Sequence, residues 1–209
     1  PAGPSGRPSD ATGATDDLVV RRGAVARRRR EPITHADTLH GLDAHQPERE
    51  AQVLRRVGCS VEFDERQTCC GQPAFNTGYH PEARRVARHF IETFERGTAE
   101  AIVSPSGSCT AMIHHYEELF EDVSWRDRAR AIAERMHELS SFLVNRLGVD
   151  DVGATFSGRL TWHDACHGLR ELGVRAEPRR LLSHVRGAEL IEMPNADACC
   201  GFGGTFSVK

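Results

Sequence analysis

Apolar and polar positions change rhythm several times along this chain, and from about residue 46 the rhythm is that of an α/β protein. Glu48 to Val57 carries apolar residues at helical spacing and stops at Gly58. Cys59-Ser60-Val61-Glu62-Phe63 then alternates, as a short strand does, and a polar stretch leads on to Cys69-Cys70-Gly71. Pro81 suits the first turn of a helix, which the pattern extends to about Arg96. Ala101-Ile102-Val103 is a continuous apolar run, the mark of a strand covered on both faces. It gives way to Ser104-Pro105-Ser106-Gly107-Ser108-Cys109, after which a helix is expected through Phe120. A single long helix, Arg126 to Leu147, is expected to close this half at Gly148.

The second half repeats the first. Arg159 to His163 reads as a strand leading to Cys166, Pro178 to Val185 as a helix stopped by Gly187, and Glu189 to Met193 as a strand leading to Cys199-Cys200-Gly201. Gly58 precedes Cys69 by 11 positions, and Gly187 precedes Cys199 by 12. Helix, glycine, strand and Cys-Cys-Gly loop thus occur twice in the same order, which predicts duplication of one unit. The expected fold class is α/β, with two related units of short parallel sheet at 33–150 and 151–209. Residues 1–32 are rich in Gly, Pro, Ser, Asp and Arg, include Arg27-Arg28-Arg29-Arg30, and predict a disordered tail. That arginine run is either an anion-docking patch or a solvated leader.

Composition narrows the function only by exclusion. The 209 residues, 39% apolar and 27% charged, are ordinary for a globular protein. A net charge of −3 offers no general basic surface for neutralising a nucleic-acid backbone. No apolar run approaches the roughly 20 residues of a membrane span, and the arginines at 21–30 lead into Glu31-Pro32-Ile33 instead of an apolar signal core. The expected location is cytoplasmic, with neither nucleic acid nor membrane as partner. Seven cysteines cannot all pair internally, and in such a compartment metal binding or redox work is the leading use of thiols.

Cys69-Cys70, Cys109, Cys166 and Cys199-Cys200 each follow a predicted strand, where α/β proteins collect ligands. Adjacent cysteines make a strained disulfide because their side chains diverge, whereas two soft thiolates beside a glycine can approach a metal cluster. Cys69, Cys70, Cys109, Cys166, Cys199 and Cys200 are therefore the candidate metal and cofactor ligands. Cys59 alternates with Val61 and Phe63 and reads as a buried apolar thiol. Ser106 and Ser108 stand in a glycine-containing turn that opens a helix, suited to capping it and to offering N–H groups to an anion or cluster sulfur. Gly201, Gly203 and Gly204 permit close backbone approach, but their spacing fits neither a dinucleotide fingerprint nor a P-loop. No residue is assigned a catalytic role.

The stretches Thr68-Cys69-Cys70-Gly71-Gln72-Pro73-Ala74-Phe75-Asn76, Ser104-Pro105-Ser106-Gly107-Ser108-Cys109 and Cys199-Cys200-Gly201-Phe202-Gly203-Gly204-Thr205-Phe206-Ser207-Val208-Lys209 resemble the cysteine-rich Cys-Cys-Gly domain family. That family includes the cysteine-rich subunits of heterodisulfide reductase and of anaerobic glycerol-3-phosphate dehydrogenase. The resemblance, which runs from about residue 51 to 209, is to its lactate-utilization members. It implies that each full module holds an iron–sulfur cluster, of the 4Fe-4S type, on a leading Cys, a Cys-Cys-Gly and a closing Cys. Cys69, Cys70 and Cys109 match the first module; Cys166, Cys199 and Cys200 match the second. Where the first module would carry its leading cysteine this chain has His35, a substitute ligand or part of a divergent start. The closing cysteines of the second module would lie beyond Lys209, so the resemblance predicts a truncated module there.

The resemblance further implies an electron-transfer subunit of an oxidoreductase complex that oxidises L-lactate to pyruvate. Its partners would be other lactate-utilization subunits, at least one of them iron–sulfur. The rival readings are a zinc-binding or interaction module, a thiol–disulfide oxidoreductase and an inactive truncated copy. His163 and His167 flank Cys166, placed to tune a cluster or to pack a strand end, and His114-His115 reads as an exposed pair.

Overall fold

The computed structural model describes residues 18–19, 33–35 and 46–201. The tail expected over 1–32 lies outside them apart from Leu18–Val19, which is a strand. The fold is α/β, as the pattern predicts. The first sheet holds β1 (Leu18–Val19), β2 (Ile33–His35), β3 (Val61–Phe63), β4 (Ala101–Ser104) and β5 (Met136–Glu138). Their order is β1-β3-β2-β4-β5. β2 pairs parallel with β3 and β4, and β4 pairs parallel with β5, while β1 is antiparallel to β3 and β4. The second sheet is one parallel pair, β6 (Thr155–Leu160) and β7 (Arg186–Leu190).

Strand β4 is the centre of the first unit, and all four of its residues are 0% exposed. Successive strand side chains point to opposite faces, so Ile102 and the pair Ala101 and Val103 serve two different cores. Ile102 packs with Ala87, Phe90, Ile91 and Phe94 of α3 (His80–Phe94), with Ile132, and with Met136. Ala101 and Val103 pack with Leu54 of α1 (Gln46–Arg56), Cys59, Phe142 and Leu143. Helix α3 forms because Pro81 suits its first turn and because residues 83, 87, 90, 91 and 94 bury one helical face.

The largest departure from the sequence pattern is the long helix expected over 126–147. Helix α5 (Val123–Ala133) ends early, strand β5 follows, and the chain then turns through the three-residue helix α6 (Leu139–Ser141) into the π-helical Phe142–Arg146. The physical reason is the open edge of β4. Ile102 donates its N–H to the carbonyl of Arg135, and Met136, 2% exposed, pairs with it in register. A continuous helix would leave that buried backbone unpaired. The Glu138 carboxylate then accepts the Ser141 N–H and restarts the helix.

In the second unit both strands begin earlier than expected, and α8 (Ala176–Ser183) ends before Val185. Gly187 does not stop that helix. It lies inside β7 at φ 81°, where a Cβ would meet the Phe156 carbonyl at 3.1 Å, so its task is close strand approach. What fixes this unit is a charge network. The Asp164 carboxylate, 0% exposed, accepts from both Arg179 terminal nitrogens at 2.7 and 3.0 Å and from the Trp162 indole at 3.1 Å. Arg179 also bonds Glu192 at 2.7 and 3.0 Å, which ties the segments after β6 and β7 to α8.

The two units meet where α4 (Gly107–His114) lies against α7 (Cys166–Arg170). A Cβ on Gly107 would fall 3.1 Å from the Gly168 Cα and 3.2 Å from its nitrogen, so the two backbones nearly touch. Among the described residues no helix is long and apolar enough to cross a membrane.

These contacts set two measurable stabilities. Arg179→Leu strands a buried carboxylate and should cost about 3–5 kcal/mol in chemical denaturation; a loss under about 1 kcal/mol would contradict the network's role. Burial, aided by Arg146 and His114, pushes the His137 imidazole down to about 4 from an ordinary value near 6.5. The unfolded chain therefore takes up this proton first, and stability intact above pH 6.5 should decline as pH falls toward 4. His137→Gln should remove about 2–3 kcal/mol of that decline, read as the pH dependence of the denaturation midpoint.

Candidate metal centre

Each Cys-Cys-Gly loop receives a third cysteine from elsewhere in the fold. In the first, Cys69 and Cys70 follow β3, and Cys109 comes from the first turn of α4 after β4. The thiol of Cys70 stands 3.3 Å from that of Cys109, and both are buried. Hydrogen bonds to Cys109 and Cys69, reinforced by burial, hold the Cys70 thiol well above its usual range. In the second, Cys166 opens α7 after β6, and Cys199 and Cys200 lie beyond β7. The Cys166 thiol is pushed up by burial and then by its hydrogen bond to Cys199 and the nearby charge, with Cys200 adding and Arg170 opposing. The six expected ligands are thus gathered as two threes.

The two loops share one backbone design. Gly71 and Gly201 both take the left-handed conformation, at φ 83° and 73°, and each N–H donates to the sulfur two residues before it, Cys69 or Cys199, at 3.4 Å. Only glycine enters that region at no steric cost. Gly71 has a second constraint, since a Cβ would press on Val86 at 3.3 Å. The first loop is further anchored by the buried Tyr116 hydroxyl, which donates to the Cys70 carbonyl at 2.8 Å. The sites differ in exposure: Cys70 and Cys109 are buried, whereas Cys199 and Cys200 are exposed.

The seam between the units joins the two sites. Gln72, next to Gly71, bonds through Nε2 to Nε2 of His167, next to Cys166, at 3.1 Å. His115 reaches Glu118 at 3.0 Å and Glu171 at 3.1 Å, and these carboxylates hold its imidazole above the ordinary range. Of the pair read as exposed, His114 is exposed and His115 is partly so, its imidazole engaged by both carboxylates. His163 bonds the Ala198 carbonyl at 2.8 Å and so braces the second loop through its backbone.

The other candidates fall into place or outside view. Cys59 is 6% exposed and packs with Leu54, Ala101 and Val103, the apolar role its alternation predicts. The Ser106 hydroxyl accepts the Cys109 N–H at 3.3 Å and caps α4, with the Ser108 hydroxyl 3.1 Å away. His35 pairs through its backbone with Val103 at the end of β2. Gly203 and Gly204, Arg27 to Arg30 and the remainder of 202–209 lie outside the described residues. Sequence reasoning passes over Tyr116, Gln72 and Gln67; no spacing rule marks them, and only their neighbourhood to the Cys-Cys-Gly loop could have.

Among the described residues, no three Cys, His, Asp or Glu side chains are disposed around a point that would hold a single metal ion. A polynuclear cluster spreads its thiolates over several irons, and the donor chemistry here fits that demand. Each set is sulfur only, which selects soft metals, and a glycine N–H already donates to one sulfur in each, the contact that tunes such clusters.

Two Cys-Cys-Gly loops, each completed by a distant cysteine on an α/β scaffold, define a class of cysteine-rich protein suited to soft metal chemistry. The description "Cysteine-rich domain" (CCG) matches residues 37–114 and 160–209, and the chain belongs to that family. It is 54% identical over 159 residues to lactate utilization protein A of Halalkalibacterium halodurans and 52% identical over 159 residues to that of Bacillus subtilis. These matches cover 76% of this chain, but 64% and 66% of the two relatives. The chain therefore spans somewhat under two thirds of the length of these relatives.

The difference in exposure predicts an order of chemical modification. In the metal-free chain, iodoacetamide should label Cys199 and Cys200 first and Cys70 and Cys109 only on unfolding, as read by peptide mass spectrometry. Early labelling of Cys109 would contradict the buried first site.

Proposed function

We propose that this chain is an iron–sulfur electron-transfer subunit serving the oxidation of L-lactate to pyruvate. The observation that carries the reading is the gathering of six cysteines into two sulfur-only sets with the same Gly N–H to Cys sulfur contact. The relatives' name, lactate utilization protein A, supplies the process. On this reading residues 33–150 and 151–209 are the two Cys-Cys-Gly modules, descended from one unit. Cys69, Cys70 and Cys109 hold one cluster, of the 4Fe-4S type, and Cys166, Cys199 and Cys200 hold the other.

A bound cluster would accept and release electrons with little rearrangement of its ligands. This chain's own residues do the rest. Gly71 and Gly201 direct N–H groups at sulfur, Tyr116 fixes the first loop, and Gln72 with His167 ties the first loop to the helix that carries Cys166. Burial of Cys70 and Cys109 excludes water from the first site more fully than from the second. Oxidation of lactate releases two electrons and two protons, and partner subunits of the lactate-utilization system in the cytoplasm would deliver and accept those electrons.

Anaerobic reconstitution of the chain should yield iron and acid-labile sulfide, with broad visible absorption that bleaches on reduction. Stoichiometric zinc without sulfide would replace this reading with the zinc module.

A further inference from the structure

Gln67 presents a problem the fold does not solve. It is 3% exposed, and neither its side-chain nitrogen nor its side-chain oxygen has a hydrogen-bond partner among the described residues. Its backbone is engaged, with the N–H donating to the Asp64 carbonyl at 3.1 Å, so the residue is fixed in place while its amide is left unsatisfied. An unpaired buried amide is destabilising, and native proteins leave few of them without a structural or functional reason. A leucine would fill nearly the same volume without that cost. Gln67 sits two residues before Cys69, in the loop that delivers the first pair of thiols. Gln72, at the other end of that loop, has its partner in His167.

We infer that Gln67 is a positioning residue of the first cysteine site, its amide nitrogen donating to the metal–sulfur group held by Cys69, Cys70 and Cys109. The inference rests on the proposed metal-binding role and adds a specific contact to it. A carboxamide offers two N–H donors, and in a buried site thiolate or bridging sulfur would supply the acceptor that the protein does not. Such contacts around a metal centre orient the ligands and commonly change metal affinity by about 10–100-fold. The amide is thus unsatisfied in the metal-free protein and satisfied in the loaded one, and its removal should have opposite effects on the two states.

The test uses the full chain carrying Cys166→Ser, Cys199→Ser and Cys200→Ser, so that only the first site is read. Iron with sulfide, supplied anaerobically, is the probe, read through its sulfur-to-iron charge-transfer absorption, which does not depend on activity. Reconstituted Gln67→Leu should give up half of its iron at a chelator concentration about tenfold or more below that for the parent, while the melting temperature of the metal-free chain stays level or rises. Gln67→Met should behave in the same way and covers the event that leucine packs badly. Equal retention of iron in the Gln67 variants and the parent would overturn the inference. So would a lower metal-free melting temperature, or loss of the fold, in both variants, since either means the amide is already satisfied without metal. If the parent takes up no iron, the metal-binding reading itself fails and this inference falls with it, a result distinct from equal retention.

Discussion

Much of this structure follows from how near two helix beginnings can lie. Helix α4 opens at Gly107 and α7 at Cys166, each just past a strand, and the Gly107 and Gly168 backbones almost touch. A Cβ on Gly107 would press on the Gly168 backbone, so a side chain at position 107 would push the helices apart. With the helices this close, Gln72 bonds His167 and His115 bonds Glu171 across the seam. The cysteines ride on those same segments: Cys109 two residues after Gly107, Cys166 two residues before Gly168, and the Cys-Cys-Gly loops beside them. The close approach of α4 and α7, which carry Cys109 and Cys166, thus depends on the glycine at position 107.

The two sets share a local design but not an environment. One lies within the core that Phe90, Tyr116 and Met112 build, and the other lies where Cys199 and Cys200 meet solvent. Cluster potential responds to solvent exposure and to hydrogen bonds at sulfur, so two similar centres in these surroundings would differ in their readiness to take an electron. The buried Cys70 thiol also resists ionisation strongly in the absence of metal. Metal binding at the first site would therefore release protons that the thiols otherwise keep.

Most of the scaffold was legible in the chain because its signals were local. Pro81 with a helical apolar face gives α3, Ala101-Ile102-Val103 gives the buried strand β4, and Ser106 marks the start of α4. The six cysteines were legible for the same reason, since each set is announced by a short motif after a strand. Sequence failed where a long-range demand overrode local preference. Residues 126–147 read as one helix, yet the open edge of β4 draws Met136–Glu138 into the sheet. Gly187 reads as a helix stop, yet it serves a strand that must pass close to Phe156. Phe63 alternates as a core residue yet is 40% exposed. The unsatisfied amide of Gln67 was invisible because satisfaction is a property of surroundings and not of sequence.

If the six cysteines form two separate metal sites, each set should carry its own share of iron and sulfide. Iron and sulfide should be measured after anaerobic reconstitution of the unaltered chain, of the Cys69→Ser, Cys70→Ser and Cys109→Ser chain, and of the Cys166→Ser, Cys199→Ser and Cys200→Ser chain. Two separate sites predict that each altered chain keeps about half of the iron and sulfide of the unaltered one. Complete loss of both in either altered chain would contradict the account and point to one site that draws on both sets.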